Sequence, residues 1–285
     1  MATKTPSTKK RSSKKGSKTA DVKKKREAKA ALHVSSIQPT WTGHGSEAQS
    51  ASHHRAYRWL CNQNDQCVPY VEDDFTENIN WRIFRIMAEF VEGFEFLSQL
   101  QREVTVFGSA RLKSTNRYYK EARKLTRLCA KGKYTVITGG GPGIMEAANR
   151  GAFESGGDSI GLDISLPLEQ RRNKYVNKSK GFHYFFTRKV MLSASAQAYV
   201  FFPGGFGTLD ELFEMATLIE TGKMSSEVPI ILVGKDFWNP MLDWIKTQFV
   251  KELKTIDLKH FELLRLVDSA EDAYEIITQT PERVL

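Results

Sequence analysis

The chain has 285 residues, 40% hydrophobic and 11% aromatic, enough to bury a sizeable core in one large or two small domains. Its net charge of +9 looks like a nucleic-acid signature, but twelve of the 42 basic residues and two of the 33 acidic ones lie in residues 1–31, leaving 30 basic against 31 acidic groups elsewhere. Three cysteines without a Cys-x-x-Cys spacing argue against a disulfide framework and fit a reducing, cytoplasmic setting, and no apolar run reaches the length of about 18 residues that a membrane span needs.

Residues 1–31, with Lys9-Lys10-Arg11, Lys14-Lys15 and Lys23-Lys24-Lys25-Arg26, read as a disordered basic tail, too polar to offset its ordering entropy. Weak contact with a polyanion is one role for it and organelle targeting another, although targeting peptides favour Arg over Lys. No apolar stretch of secretory-signal length is seen near its start. Residues 32–79, loosened by Gly43, Gly45, Ser46, Ser50 and Ser52, read as a linker with a short helix around 53–61. His53, His54, Cys61 and Cys67 lie near one another in sequence but match no zinc spacing.

From residue 80 a nucleotide-binding α/β domain is expected to run to residue 285. It opens with an amphipathic helix over 80–101, where Ile83, Phe84, Met87, Phe90, Val91, Phe94 and Leu97 keep helical spacing. Strands are predicted at Val104–Phe107, Tyr134–Thr138, Ser159–Ile164, Ala198–Phe202, Pro229–Val233 and Leu263–Val267. Helices are predicted at Tyr118–Lys131, Ile144–Ser155, Arg188–Ala196, Leu209–Thr221, Trp238–Lys251 and Glu271–Thr278. Strands apolar throughout, alternating with helices, predict a doubly wound, mostly parallel sheet of modified Rossmann type with helices on both faces. Ligands of such sheets sit beyond the carboxyl ends of the strands at a topological switch point.

Three Gly-rich segments fall at such ends: Gly108-Ser109-Ala110-Arg111, Gly139–Gly143 and Gly204–Thr208. Glycine lets backbone N–H groups approach a phosphate, and a helix beginning at once adds the positive end of its dipole. A single loop of this kind is often only a tight turn; three on one edge point to a nucleotide or sugar-phosphate pocket. A dinucleotide site fits less well. Gly141-Pro142-Gly143-Ile144-Met145-Glu146 puts Glu146 where the third small residue belongs, although Asp163 stands about 20 residues on, as a ribose-binding acid should. No Walker A sequence occurs.

Thr208-x-x-Glu211 has the form of a capping box, with Thr208 as N-cap and Glu211 at the third helical position. A cap does not need the glycines before it, so Glu211 is also a candidate to face a ligand. Arg188-Lys189 reads either as a solvated basic pair or as cations for an anionic ligand. Glu169, in Leu166-Pro167-Leu168-Glu169-Gln170, reads by itself as a surface residue.

Together, Gly139-Gly140-Gly141-Pro142-Gly143-Ile144-Met145-Glu146, Arg188-Lys189 and Pro203-Gly204-Gly205-Phe206-Gly207-Thr208-Leu209-Asp210-Glu211 resemble the LONELY GUY (LOG) family, the cytokinin riboside 5′-monophosphate phosphoribohydrolases long labelled "possible lysine decarboxylases". The resemblance covers roughly residues 80–280. It implies Glu211 and Arg188 as the catalytic pair. It implies substrate or phosphate contacts from Glu169, Lys189 and the run Gly204, Gly205, Phe206, Gly207, Thr208, Leu209 and Asp210. The other two loops add Gly108, Ser109, Gly139, Gly140, Gly141, Gly143 and Met145. Short-form members read Met-His-x-Arg-Lys where this chain has Phe185-Phe186-Thr187-Arg188-Lys189, which looks like a longer-form branch.

The implied reaction cleaves the N-glycosidic bond of AMP or an N6-modified AMP, giving free base and ribose 5-phosphate through an oxocarbenium-like transition state. Glu211 would stabilise that cation, Arg188 would hold Glu211 or the substrate, or assist the departing base, and Glu169 would bond the ribose hydroxyls. No step needs a metal or another cofactor, and nothing suggests pyridoxal phosphate. A homodimer is implied by the family, and the 80–101 helix could support it. Two other readings are a non-catalytic nucleotide-binding or carrier protein with the same pocket, and a nucleic-acid-associated protein acting through its tail.

Overall fold

The computed structural model describes residues 58–61, 67–70, 79–164 and 172–282. The expected basic tail and residues 32–57 of the expected linker lie outside the described residues. The first described element is an antiparallel hairpin of β1 (Arg58–Cys61) and β2 (Cys67–Tyr70), with Arg58 opposite Tyr70 and Cys61 opposite Cys67. This corrects the helix expected around 53–61 at its C-terminal end. Trp59, Leu60 and Cys61 favour extended backbone, and an isolated helix of two turns is too short to hold against strand pairing.

The α/β domain follows in the order α1 (Ile79–Ser98), β3 (Glu103–Phe107), α2 (Arg117–Lys131), β4 (Thr135–Thr138), α3 (Ile144–Glu154), β5 (Ser159–Ile164), β6 (Lys178–Phe182), α4 (Phe185–Ala194) and β7 (Ala198–Phe201). It ends with α5 (Phe206–Glu220), β8 (Ile230–Val233), α6 (Lys235–Ile245), α7 (Leu258–Phe261), β9 (Leu264–Val267) and α8 (Ala270–Thr278). Helix α6 continues with π-helical winding over Lys246–Glu252.

The seven strands β3–β9 form one parallel sheet in the order β6-β5-β4-β3-β7-β8-β9. The chain starts in the middle, runs outward to β6, then returns to β7 on the other side of β3. The two chain directions diverge between β3 and β7, the switch point where ligands of doubly wound sheets bind.

Alternation along each strand divides the core between two faces. Val104, Val106, Val136, Val200, Ile231 and Val233 meet α2, α3 and α8 through Leu125, Ala148 and Ile277. Ile137, Ile160, Leu162, Tyr199, Phe201 and Leu232 meet α1, α4, α5 and α6 through Leu97, Met191, Met215 and Trp238. Burial on both sides is why these strands are continuous apolar runs rather than alternating ones. Trp238 is fully buried and donates its indole N–H to the Val233 carbonyl at 3.2 Å.

Strand β6 has no counterpart among the predicted strands. Its sequence, Lys178-Ser179-Lys180-Gly181-Phe182, has only Phe182 buried. It is held by parallel pairing with β5 rather than by a core face of its own. Two lysines on an edge strand also discourage pairing with another chain. No described helix is long and apolar enough to cross a membrane.

Candidate active site

A cavity of about 880 Å³ lies beyond the carboxyl ends of β3, β4 and β7. It receives the loop after β3 (Gly108, Ser109), Gly139 and Met145 from the β4–α3 connection, Arg188 on α4, and Gly204–Thr208 with Asp210 and Glu211 on the β7–α5 segment. Backbone hydrogen bonds tie the three loops together. Ser109 N–H donates to the Pro203 carbonyl and Ile144 N–H donates to the Ser109 carbonyl, both at 3.0 Å.

The glycines divide into those that shape the loops and those that bound the cavity. A Cβ on Gly143, whose φ is +68°, would collide with the Ser109 carbonyl oxygen, and a Cβ on Gly108 would lie 2.6 Å from Ile144. These two glycines let the loops touch. Gly140 and Gly141 turn to Asn173, whose side-chain amide donates to their carbonyls at 3.1 and 2.9 Å. Asn173 belongs to a buried network in which Asn149 accepts from Asn173 and from Thr138 Oγ1 and donates to Ser159 Oγ. Of the Gly139–Gly143 loop, only Gly139 reaches the cavity wall. The first N–H of α3, that of Ile144, is already taken by the Ser109 carbonyl.

The β7–α5 segment is open. Helix α5 starts at Phe206 with Gly205 as its N-cap and no side-chain cap. The expected capping box is therefore corrected: Thr208 is the third residue of the helix and Glu211 the sixth. The glycines let the helix begin three residues early, and Thr208 packs on Gly204, where a Cβ would fall 2.5 Å from the Thr208 Cβ. The N–H groups of Phe206 and Gly207 precede any intrahelical acceptor and open on the cavity with the positive end of the dipole. Gly205 and Gly207 have nothing within 4 Å of an added Cβ, so their lack of a side chain serves open space.

Helix α4 starts at Phe185, three residues before its expected start, which puts Arg188 inside the first turns. Arg188 donates Nε–H to the Leu162 carbonyl at 2.7 Å and lies against Gly139, where a Cβ would collide with its guanidinium. Burial pulls the Arg188 guanidinium below its ordinary pKa, and the charges of Glu211 and Asp163 oppose that shift. Asp163, at the end of β5, accepts from Arg172 at 2.5 Å through one oxygen, while its buried Oδ1 has no hydrogen-bond partner.

Glu211 faces the cavity with its Oε2 buried and without a hydrogen-bond partner. Burial pushes its carboxyl up from 4.5 to about 7, with Lys189 and Arg188 resisting and Glu214 and Asp210 adding to the rise. A carboxylate raised this far beside a half-buried arginine in a cleft is what a catalytic group needs. Lys189 is not on the cavity wall. It bridges α4 to α5 through Asp210 at 2.5 Å and Glu214 at 3.2 Å. Burial disfavours its charge, but the Asp210 hydrogen bond and the neighbouring carboxylates raise its pKa above the ordinary lysine value.

Of the other expected site residues, Leu209 packs into the core. Glu169 lies outside the described residues. The cavity also takes Arg111 from the first Gly-rich segment, Phe185 at the start of the Arg188-Lys189 helix, and Asn116, Tyr118 and Phe237, these last three in no sequence motif. Their rings, with the nearly fully exposed Phe206, give the cavity an apolar rim suited to a flat ligand. Among the described residues no cluster of three His, Cys, Asp or Glu side chains is placed to hold a metal.

The family model described as "Possible lysine decarboxylase" matches residues 145–277, which include Met145, Arg188 and the whole Pro203–Glu211 motif. A cytokinin riboside 5′-monophosphate phosphoribohydrolase from Rhodococcoides fascians is 25% identical over 51% of this chain and 74% of its own length. One from Oryza sativa subsp. japonica is 26% identical over 66% of this chain and 75% of its own. Among solved structures, the molybdenum cofactor carrier protein of Chlamydomonas reinhardtii is similar at 18% identity and a TM-score of 0.48, covering 63% of this chain and 97% of that one. The chain is thus similar, over residues 145–277, to the family whose model is described as "Possible lysine decarboxylase", and over a wider span to phosphoribohydrolases of the LOG type.

Proposed function

We propose that the chain hydrolyses the N-glycosidic bond of a nucleoside 5′-monophosphate, AMP or an N6-modified AMP, to free base and ribose 5-phosphate. The observation that carries this reading is Glu211: a half-buried carboxylate with one buried, unpartnered oxygen, lifted to about 7, beside Arg188 and on the helix whose amino end opens on the same cavity. The relatives named as phosphoribohydrolases of cytokinin riboside 5′-monophosphate support it.

In this reading the 5′-phosphate sits on the free N–H groups of Phe206 and Gly207, within reach of Ser109. The base lies among Tyr118, Phe185 and Phe237. As the C1′–N bond breaks, positive charge develops on the sugar, and ionised Glu211 stabilises it and orients the water that adds to C1′. The base departs with the bonding electrons and takes a proton from solvent, while the water that adds to C1′ gives a proton to Glu211. Arg188, fixed by Leu162, keeps Glu211 ionised enough to act and holds the reacting end of the substrate. Lys189 with Asp210 and Glu214 would keep α4 and α5 in register. A nucleotide panel with chromatographic detection of free base and ribose 5-phosphate tests the proposal. Bound but uncleaved AMP would instead favour a carrier.

A homodimer is part of the same proposal. Helix α1 leaves Phe84, Met87, Val91 and Phe94 exposed on one side, an apolar face that a second copy would cover. Sedimentation of the wild type and of Val91→Glu checks it, with a dimer expected only for the former.

A further inference from the structure

We infer that Glu89, on α1 and outside the cavity, is a positioning residue that sets where α4 begins and therefore where Arg188 stands. Glu89 is a buried carboxylate on a helix whose other buried residues are Gly93 and Leu97, one stripe at four-residue spacing. Its Oε1 accepts from the His183 N–H at 2.7 Å. Its Oε2 accepts from the Tyr184 N–H at 3.3 Å and from the Thr187 hydroxyl at 2.5 Å. These three donors surround the amino end of α4, whose own N-cap residue, Tyr184, supplies no side-chain hydrogen bond. A carboxylate from another helix thus does what an N-cap side chain normally does, and its charge also faces the positive end of the α4 dipole.

The contact is backed by close packing. A Cβ on Gly93 would fall 2.5 Å from Met191 Sδ, so α1 and α4 pack closely one turn beyond Glu89. Thr187 is fully buried and immediately precedes Arg188. If the Glu89 contacts are lost, the first turn of α4 is free to fray or shift. Arg188 is on that turn, and the hydrogen bond that fixes its guanidinium runs to Leu162 on β5, so a shift of the turn moves it relative to that anchor. Exposed Glu92, one position before Gly93, pairs with Lys180 of β6 and takes no part in the cap.

The test compares Glu89→Gln, Thr187→Val and, as control, Glu92→Gln. Two signals are read. The first is the ¹⁵N-arginine Nε–H resonance of Arg188, identified by its disappearance in Arg188→Lys. The second is turnover of AMP as a function of pH, and only this arm rests on the phosphoribohydrolase reading. In Glu89→Gln the Arg188 resonance should shift or broaden and kcat should fall about tenfold. The acid limb of the pH profile should move upward, because Arg188 is one of the charges that hold the Glu211 pKa down. Thr187→Val should move the same signals less, and Glu92→Gln should move neither. A purely structural Glu89 would lower the melting temperature of the folded variant and leave both signals alone. A folded Glu89→Gln protein with an unchanged Arg188 resonance overturns the inference. If the wild type cleaves no nucleotide, the phosphoribohydrolase reading fails alone and the resonance still decides the role of Glu89.

Discussion

Replacing Glu211 with glutamine removes a charge that the fold resists while keeping the side chain's shape. Burial raises this carboxyl from 4.5 to about 7. The displacement corresponds to about 3 kcal/mol at most. Across the window between those two values the folded chain keeps a proton that the unfolded chain has released. Stability therefore falls as pH rises through it, and the whole cost is present above it. Glutamine carries no such cost. At about pH 8.5 the variant should be more stable than the wild type by up to about 3 kcal/mol, or roughly 6–12 °C in melting temperature for a domain of this size. At about pH 4.5 the two should unfold together. The assay is thermal and urea unfolding of both proteins at both pH values. A stability difference that does not depend on pH would refute the reasoning, as would a glutamine variant that is weaker at high pH. The same variant should release no base from AMP, so stability would be gained where activity is lost.

Other outcomes follow from the geometry. The kcat/KM of the wild type should rise with pH through about 7, because Glu211 acts ionised; a flat profile across that range would remove it from the chemistry. Arg188→Ala should lower kcat about 10²–10³-fold in a protein that still folds, measured by base release. Gly205→Ala meets nothing within 4 Å and should leave the melting temperature alone while raising KM, since the new methyl group stands where the phosphate is placed. Asn149→Ala strips the acceptor from the buried Thr138 hydroxyl and one of the acceptors from the Asn173 amide, and should cost about 2–3 kcal/mol in urea unfolding.

The sheet was legible in the sequence wherever a strand is buried on both faces. Val104–Phe107 and Ile230–Val233 announce themselves because no position along them faces water. Strand β6 was illegible because its lysines belong to an edge that is held by backbone pairing. The starts of α4 and α5 each precede the expected position by three residues, for different reasons. The cap of α4 comes from Glu89, nearly a hundred positions away, and no local pattern can display it. At α5 the Thr208-x-x-Glu211 spacing imitates a cap that Gly205 makes unnecessary. The glycines of the site were visible as a group, but their division was not. Whether a glycine admits a ligand or another loop depends on what the fold brings opposite it, as Ser109 stands opposite Gly143 and open space opposite Gly205.

The pairing of β3 with β7 has a consequence for how the molecule is made. Val104 lies opposite Ala198, so the centre of the sheet is joined across more than ninety residues of chain. During synthesis β4, β5 and β6 can line up beside β3 while its other edge is still bare. The cavity spans that join, so it comes into being only when β7 docks. A ligand can then recognise none of the half-built sheets, and its binding energy falls wholly on the finished one. Any ligand of this cavity would thus act as a late clamp on assembly, drawing the chain past the stage at which an open apolar strand is most exposed to other chains.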